Sequence, residues 1–148
     1  MSYTTPPARR SSVRAVRNAL MASRTTVLTT HLNADGDGTG CEVAVASWLR
    51  ANGAQAYIIN PTPFPDQFRF LVPHDGWVLH AGSEKARDVC AQADLAVVLD
   101  TGEVPRIGRL RSMIRDLKTV VVDHHPVGDH PLGGISLRDD TACATGEL

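Results

Sequence analysis

Short apolar stretches alternate with longer amphipathic segments along most of the chain. The apolar stretches are rich in β-branched residues, which is typical of buried strands, whereas the amphipathic segments repeat apolar residues at helical spacing. Strands are therefore predicted over residues 25–32, 55–59, 77–80, 95–100 and 119–122, and helices over residues 11–23, 41–51, 84–93 and 107–117. This alternation predicts an α/β fold with a mostly parallel sheet and right-handed crossovers.

Three of the predicted strands end in acids and histidines. In an open parallel sheet the carboxyl ends of the strands border one crevice, so side chains at those ends are expected to lie together. Two carboxylates about 4 Å apart repel by roughly 4 kcal/mol at an effective dielectric of about 20, and divalent cations relieve that repulsion. The pattern therefore predicts a metal site. The residues at the three strand ends are His31, Asp35, Asp37, Asp100, Asp123, His124 and His125.

The first cluster, residues 31–40 (HLNADGDGTG), differs from the common phosphate- and calcium-binding loops. A P-loop requires a lysine that is absent here, and a dinucleotide fingerprint requires a different glycine spacing. An EF-hand fails because its twelfth position falls on Ala46, where a bidentate glutamate is needed. Alternate residues of an extended loop point to opposite sides, so Asp35 and Asp37 can each face a different ion. This arrangement suits a two-metal centre.

Asp100 and the triplet of residues 123–125 (DHH) are the other two clusters. An Asp after an apolar strand often only caps a turn, but a carboxylate on a central strand can also bridge two ions. Consecutive histidines after a valine-rich strand have little packing purpose, and imidazole with carboxylate suits manganese, iron or zinc. The predominance of oxygen donors favours Mn²⁺ or Mg²⁺, and Asp123 can orient a histidine.

Composition limits the class of partner. The chain has 15 basic and 16 acidic residues and a net charge of -1, so it lacks the basic excess of a nonspecific binder of long nucleic acid. Its 3 cysteines show no metal-binding or redox spacing, which predicts a reduced, cytoplasmic setting. No stretch approaches a membrane span. Residues 1–10 lack an apolar signal core and are predicted to form a disordered leader before one domain over residues 11–148.

The three clusters together resemble the DHH phosphoesterase superfamily, and within it the RecJ-like branch of bacterial NrnA-type oligoribonucleases and 3'-phosphoadenosine 5'-phosphate (PAP) phosphatases. The resemblance implies a three-layer α/β/α, Rossmann-like domain. It rests on residues 31–37 (HLNADGD), 99–102 (LDTG) and 123–125 (DHH), with further agreement at residues 68–73 (FRFLVP), 106–108 (RIG) and 144–148 (ATGEL).

What the resemblance implies is a hydrolase with two manganese ions, for which Mg²⁺ is the alternative cofactor. By that analogy Asp100 bridges the ions, His125 binds the substrate phosphate and Asp123 plays a supporting role. The implied metal ligands are His31 and Asp35 for one ion, Asp37 and His124 for the other, and Asp100 for both. The implied catalytic residues are Asp35, Asp37, Asp100, His124 and His125.

The implied reaction is release of 5'-mononucleotides from short oligoribonucleotides, with conversion of PAP to AMP as a second activity. A short RNA or a small nucleotide is the implied partner, and a homodimer is compatible with the full-length protein. Proteins of this kind continue to a fourth motif, whose Asp completes the second metal, and to a DHHA1 domain. Residues 11–148 are therefore expected to be the N-terminal part of a larger enzyme, and Asp139 and Asp140 are not expected to replace the missing ligand.

Three alternatives stay open from the sequence. The chain can act on other DHH substrates: cyclic or linear dinucleotides, single-stranded DNA as in RecJ, or pyrophosphate. It can also be a non-catalytic fragment that binds a metal or a nucleotide. The third alternative is an ordinary α/β domain whose acids and histidines only form turns. In that case Asp100→Asn and His124→Ala leave metal affinity unchanged, whereas a metal site requires large losses.

Overall fold

Five parallel strands form one sheet at the centre of the computed structural model, which describes residues 4–148. Their order across the sheet is β2-β1-β3-β4-β5, so β3 is central. All residues of β3 are buried, because a central strand in a parallel sheet is covered on both faces. The predicted α/β class with a mostly parallel sheet is confirmed. The strands are β1 Thr25–Thr29, β2 Gln55–Ile58, β3 Leu95–Leu99, β4 Lys118–Asp123 and β5 Ile135–Arg138.

Helices cover both faces of the sheet and produce the three layers. Side chains alternate along β3, so Val97 and Leu99 join the core under α1 and α2, while Ala96 and Val98 join the core under α3 and α4. Among the described residues, no helix is both long enough and apolar enough to cross a membrane. The helices are α1 Arg10–Ala22, α2 Gly36–Ala51, α3 Glu84–Gln92 and α4 Leu110–Met113.

One predicted helix and one predicted strand do not form as continuous elements. The helix expected over residues 107–117 is divided into a 3-10 helix, Val104–Ile107, and the short α4. Gly108 separates them with a φ of +50°, a left-handed conformation that interrupts a right-handed helix. The strand expected over residues 77–80 is reduced to a single bridge from Val78 to Ile58, because a 3-10 helix at Asp75–Trp77 replaces its beginning.

Strand β5 was not predicted from the sequence. Its four residues (ISLR) are too few and too polar to stand out as an apolar run. The strand forms because Gly134 lets the chain approach β4 closely. A Cβ atom on Gly134 would lie 2.3 Å from the carbonyl oxygen of Thr119, and its φ of +118° favours glycine.

The leader prediction, over residues 1–10, is wrong at its C-terminal end. Pro7–Arg9 form a 3-10 helix that leads directly into α1, and Arg9 is 7% exposed. Its guanidinium pairs with Asp139 and Glu147, which is the reason that this segment is ordered. Residues 1–3 lie outside the described residues.

The strand order places a crevice between β1 and β3. From β1 the chain crosses to β2 on one side, and it then returns to β3 on the other side, so the connections diverge at the carboxyl ends of these two strands. Such a switch point is where open α/β sheets bind ligands. His31 follows β1 and Asp100 follows β3, so the topology directs both residues to this crevice.

Glu42 is a fully buried acid on α2, on the side of the helix that faces the sheet. Asn60 donates one hydrogen bond to Oε2 of Glu42 at 3.1 Å, and Oε1 has no partner among the described atoms. Burial therefore raises the pKa of Glu42 from 4.5 to about 8. The folded protein keeps this proton at neutral pH, whereas the unfolded chain releases it.

We expect the free energy of unfolding to fall as the pH rises from about 4.5 to 8. The folded state binds one more proton than the unfolded state over this window, which costs up to about 1.4 kcal/mol per pH unit. Glu42→Gln should therefore be more stable than the wild type at pH 8, and this gain should shrink at pH 5. Urea unfolding at both pH values tests this, with the exposed Asp88→Asn as the control variant. Equal pH slopes in Glu42→Gln and the wild type would contradict it.

Candidate metal centre

The loop after β1 positions Asp35 and Asp37 through the start of α2. Asp35 caps the helix, and its Oδ1 accepts hydrogen bonds from the amides of Asp37 (3.0 Å) and Gly38 (3.1 Å). The helix begins at Gly36, so the expected extended loop and the helix start at residue 41 are wrong. Asp35 is the helix cap and Asp37 lies in the first helical turn, so the two acids have different hydrogen-bond partners. Oδ2 of Asp35 lies 3.8 Å from Nε2 of the buried His31.

Asp100 occupies the centre of the crevice. It follows the central strand, is 2% exposed and has a φ of +60°, a left-handed conformation that costs a non-glycine residue about 1 kcal/mol. Its Oδ2 lies 3.3 Å from Nε2 of His31. Its Oδ1 lies 3.7 Å from Nε2 of His124 and 3.9 Å from Nδ1 of His125. Its two oxygens therefore face different histidines.

His124 and His125 follow the last residue of β4, Asp123. Nε2 of His124 faces Oδ2 of Asp37 at 3.9 Å, and its Nδ1 lies 3.2 Å from the carbonyl oxygen of Ala142. Oδ1 of Asp123 accepts the backbone amide of His125 at 3.1 Å and lies 2.8 Å from its Nδ1. Buried Asp123 thus holds the His125 ring, as the predicted supporting role requires.

Two groups of side chains could each hold an ion, and Asp100 belongs to both. One group is His31, Asp35 and Asp100; the other is Asp100, His124 and His125. Within each group one ligand atom per residue lies within 4.8 Å of the others. The crevice thus brings five of the seven sequence-predicted residues together as two adjoining groups, while Asp37 and Asp123 belong to neither. The ligand roles themselves stay predictions.

Asp37 and His125 differ from their predicted assignments in one respect. The resemblance pairs Asp37 with His124 on an ion and directs His125 to the substrate, whereas the compact second group contains His125 in place of Asp37. Both oxygens of Asp37 accept backbone amides instead, Oδ2 from Thr145 (2.7 Å) and Oδ1 from Gly146 (2.9 Å). A carboxylate retains further lone pairs beside these two hydrogen bonds.

The negative charges of the crevice raise the cost of ionising Asp100. Burial is the main cause that raises the pKa of Asp100, and the nearby charges of Asp37 and Asp35 raise it further. Burial and Asp37 also raise the pKa of the Cys41 thiol to about 12, so Cys41 is protonated at neutral pH in the metal-free protein. A bound cation would stabilise the ionised form of Asp100.

Thr145 is the site residue that the sequence reasoning missed. Its hydroxyl donates to Oδ1 of Asp100 at 2.7 Å while its amide donates to Asp37, so one residue contacts two acids of the crevice. The signal was present, because residues 144–148 carry part of the family resemblance. Asp139 lies outside both groups, as expected, and pairs with Arg9.

Thr145→Val should raise the pKa of Asp100 further above its usual range. The Thr145 hydroxyl stabilises the ionised carboxylate of Asp100. Loss of this hydrogen bond destabilises the ionised form by about 1 kcal/mol, and the protonated form is then favoured up to a higher pH. The measurement is a pH titration of the carboxyl carbon signals by NMR in metal-free protein. Thr141→Val is the matched control. The Thr141 hydroxyl donates to Asp139, so its loss should raise the pKa of Asp139 and leave the pKa of Asp100 unchanged. An unchanged Asp100 titration in Thr145→Val would refute the expectation.

Several solved structures share this fold. An exopolyphosphatase-related protein from Bacteroides fragilis matches with a TM-score of 0.79 and 20% sequence identity. The match covers 94% of this chain and 42% of the chain of that protein. The exonuclease RecJ bound to manganese matches with a TM-score of 0.52 and 19% sequence identity, and the match covers 93% of this chain and 32% of the RecJ chain. RecJ from Thermus thermophilus, in complex with Mn²⁺, matches with a TM-score of 0.51 and 19% sequence identity, and the match covers 97% of this chain and 18% of that RecJ chain. This chain thus spans less than half the length of each.

Comparison with curated proteins finds no match. The model of the DHH family, N-terminal domain, matches residues 25–148, which include all three clusters and the five strands. The resemblance to the DHH superfamily is therefore confirmed. This chain belongs to the DHH family and carries its N-terminal domain.

Proposed function

We propose that this domain forms the two-metal centre of a phosphoesterase that cleaves short oligoribonucleotides to 5'-mononucleotides and also converts PAP to AMP. The observation that supports it most is the position of Asp100 between two donor groups, with one carboxylate oxygen toward each. A shared carboxylate is the usual way to hold two ions close together. Membership of the DHH family, which includes RecJ, supports the phosphoesterase class.

The donor set of the crevice fits Mn²⁺, with Mg²⁺ as the alternative. Carboxylate oxygens and imidazole nitrogens suit manganese, and both groups found among the described residues consist of Asp and His side chains. We propose that His31 and Asp35 hold one ion, that Asp37 and His124 hold the other, and that Asp100 holds both. When bound there, such ions would supply Lewis-acid chemistry, which lowers the pKa of a water and offsets the charge that develops on a phosphoryl group.

The chain's own residues would orient the substrate around that pair. Asp123 accepts from Nδ1 of His125, so Nε2 of the half-exposed ring takes no part in that contact and can donate to a phosphate oxygen when the imidazole is protonated on both nitrogens. Thr145 and Gly146 hold the carboxylate of Asp37, so that acid can act without a change of rotamer. Preorganised groups of this kind need little rearrangement during the reaction.

The substrate proposal depends on charge and on the resemblance of the three motifs to the NrnA-type branch. A net charge of -1 means that the chain lacks the basic excess of a nonspecific binder of long nucleic acid, so a short or single-nucleotide substrate is favoured. The neighbours in fold are named for other phosphate compounds, polyphosphate and exonuclease substrates. Those compounds are therefore the alternatives that an activity assay must include.

Metal binding is the first test. We expect Mn²⁺ binding by calorimetry and elemental analysis, where two ions per chain indicate a self-sufficient centre and one ion indicates a centre that the fourth motif completes. We also expect a loss of affinity of about 100-fold or more in Asp100→Asn, because that residue serves both donor groups. The exposed Asp116→Asn is the matched control and should bind as the wild type does. Wild-type affinity in Asp100→Asn would contradict the proposed centre.

Hydrolysis is the second test. With Mn²⁺ present, we expect labelled RNA of two to five nucleotides to yield 5'-mononucleotides and PAP to yield AMP, and His125→Ala to slow both by about 100-fold. Single-stranded DNA, cyclic dinucleotides, pyrophosphate and polyphosphate are assayed in parallel. Faster cleavage of one of these would replace the proposed substrate. Bound Mn²⁺ without any hydrolysis would favour the alternative of a fragment that binds a metal or a nucleotide and is not catalytic by itself.

A further inference from the structure

Arg9 is a buried arginine that precedes the first helix and lies outside the residues matched by the family model. Its Nε donates to Oδ2 of Asp139 at 2.6 Å, and its Nη1 donates to Oε1 of Glu147 at 2.8 Å. One guanidinium therefore joins the start of the chain to two acids near its other end. The planar fork of arginine suits two simultaneous carboxylate partners, which lysine cannot match.

The two acids bracket a segment, residues 139–147, that has little regular structure of its own. Its only helical element is the 3-10 turn Thr145–Glu147, and no described strand contains it. Asp139 accepts the amide of Thr141 at 2.9 Å, and Oε2 of Glu147 accepts the amide of Cys143 at 3.0 Å. These two contacts stabilise the conformation of the 139–147 segment, and the two Arg9 contacts join the segment to the start of the chain.

The 139–147 segment in turn contacts three of the predicted metal ligands. Its amides at Thr145 and Gly146 donate to Asp37, and the Thr145 hydroxyl donates to Asp100. The carbonyl oxygen of Ala142 in the same segment lies 3.2 Å from Nδ1 of His124. A shift of the segment would change the surroundings of all three ligands at once.

We propose that Arg9 is a positioning residue of the metal centre, which acts by holding the 139–147 segment against Asp37, Asp100 and His124. The centre then depends on the segment before α1 as well as on residues 25–148. The charge of Asp139 is consistent with this ion pair. Hydrogen bonds from the Thr141 hydroxyl and from Arg9 lower the pKa of Asp139 to about 2, so Asp139 is ionised at neutral pH. The metal centre and its ligand roles rest on the proposed function, whereas the contacts of Arg9 and of the 139–147 segment involve protein atoms alone.

Amide hydrogen exchange in the metal-free protein is the first experiment, because it tests the contacts without any ion. In Arg9→Ala we expect the Thr145 and Gly146 amides to exchange at least tenfold faster, while the Val98 and Val121 amides in the central strands keep their wild-type rates. Arg14→Ala, which removes an exposed arginine of α1, is the matched control. Unchanged exchange at Thr145 and Gly146, or equal acceleration at all four amides, would overturn the positioning role.

Mn²⁺ affinity by calorimetry is the second readout. Arg9→Ala and Glu147→Gln should each weaken binding by about tenfold, the double variant should be no weaker than the worse single variant, and Arg9→Lys should recover only part of the affinity. Full additivity of the two losses would contradict a shared action through Glu147. If Arg9→Ala does not fold, Arg9→Lys and Glu147→Gln decide both readouts. A wild type that binds no Mn²⁺ would refute the proposed function, and the exchange rates would still decide the role of Arg9.

Discussion

Electrostatic repulsion among the carboxylates of one crevice is the constraint on which the rest of the structure depends. Asp35, Asp37 and Asp100 converge at the carboxyl ends of β1 and β3, and Asp100 is buried. Such a group is unfavourable unless donors or cations stabilise its charges. The surrounding backbone supplies many of the donors. The position of α2, the loop after β4 and the 139–147 segment can all be understood as parts of that compensation.

Each acid has its own donors. The first turn of α2 stabilises Asp35, the 139–147 segment stabilises Asp37, and Thr145 with the neighbouring histidines serves Asp100. These donors occupy some lone pairs of each carboxylate and leave others directed into the crevice. Protein hydrogen bonds therefore fix the directions of the acids, while the remaining repulsion favours a cation. The left-handed backbone of Asp100 is consistent with this view, since strain of that kind concentrates at functional sites.

Much of the architecture was readable from the sequence, because the strands that matter most are continuous apolar runs. Strands β1, β3 and β4 were predicted with small errors at their ends, and the acids and histidines that follow them meet in one crevice. Errors arose where a polar or glycine-containing segment depends on distant contacts. Strand β5 forms against β4, and the helix expected over residues 107–117 is interrupted at Gly108.

The sequence by itself determined the α/β class, the family and the set of residues at the candidate centre, because hydrophobic periodicity and short motifs are local properties of the chain. Only the tertiary structure decided how those residues are supported. The contacts of Thr145 with Asp37 and Asp100 join residues that are 108 and 45 positions apart, and those of Arg9 with Asp139 and Glu147 span 130 and 138 positions. No local pattern encodes such contacts, since they exist only after the sheet and its helices bring both ends of the chain together.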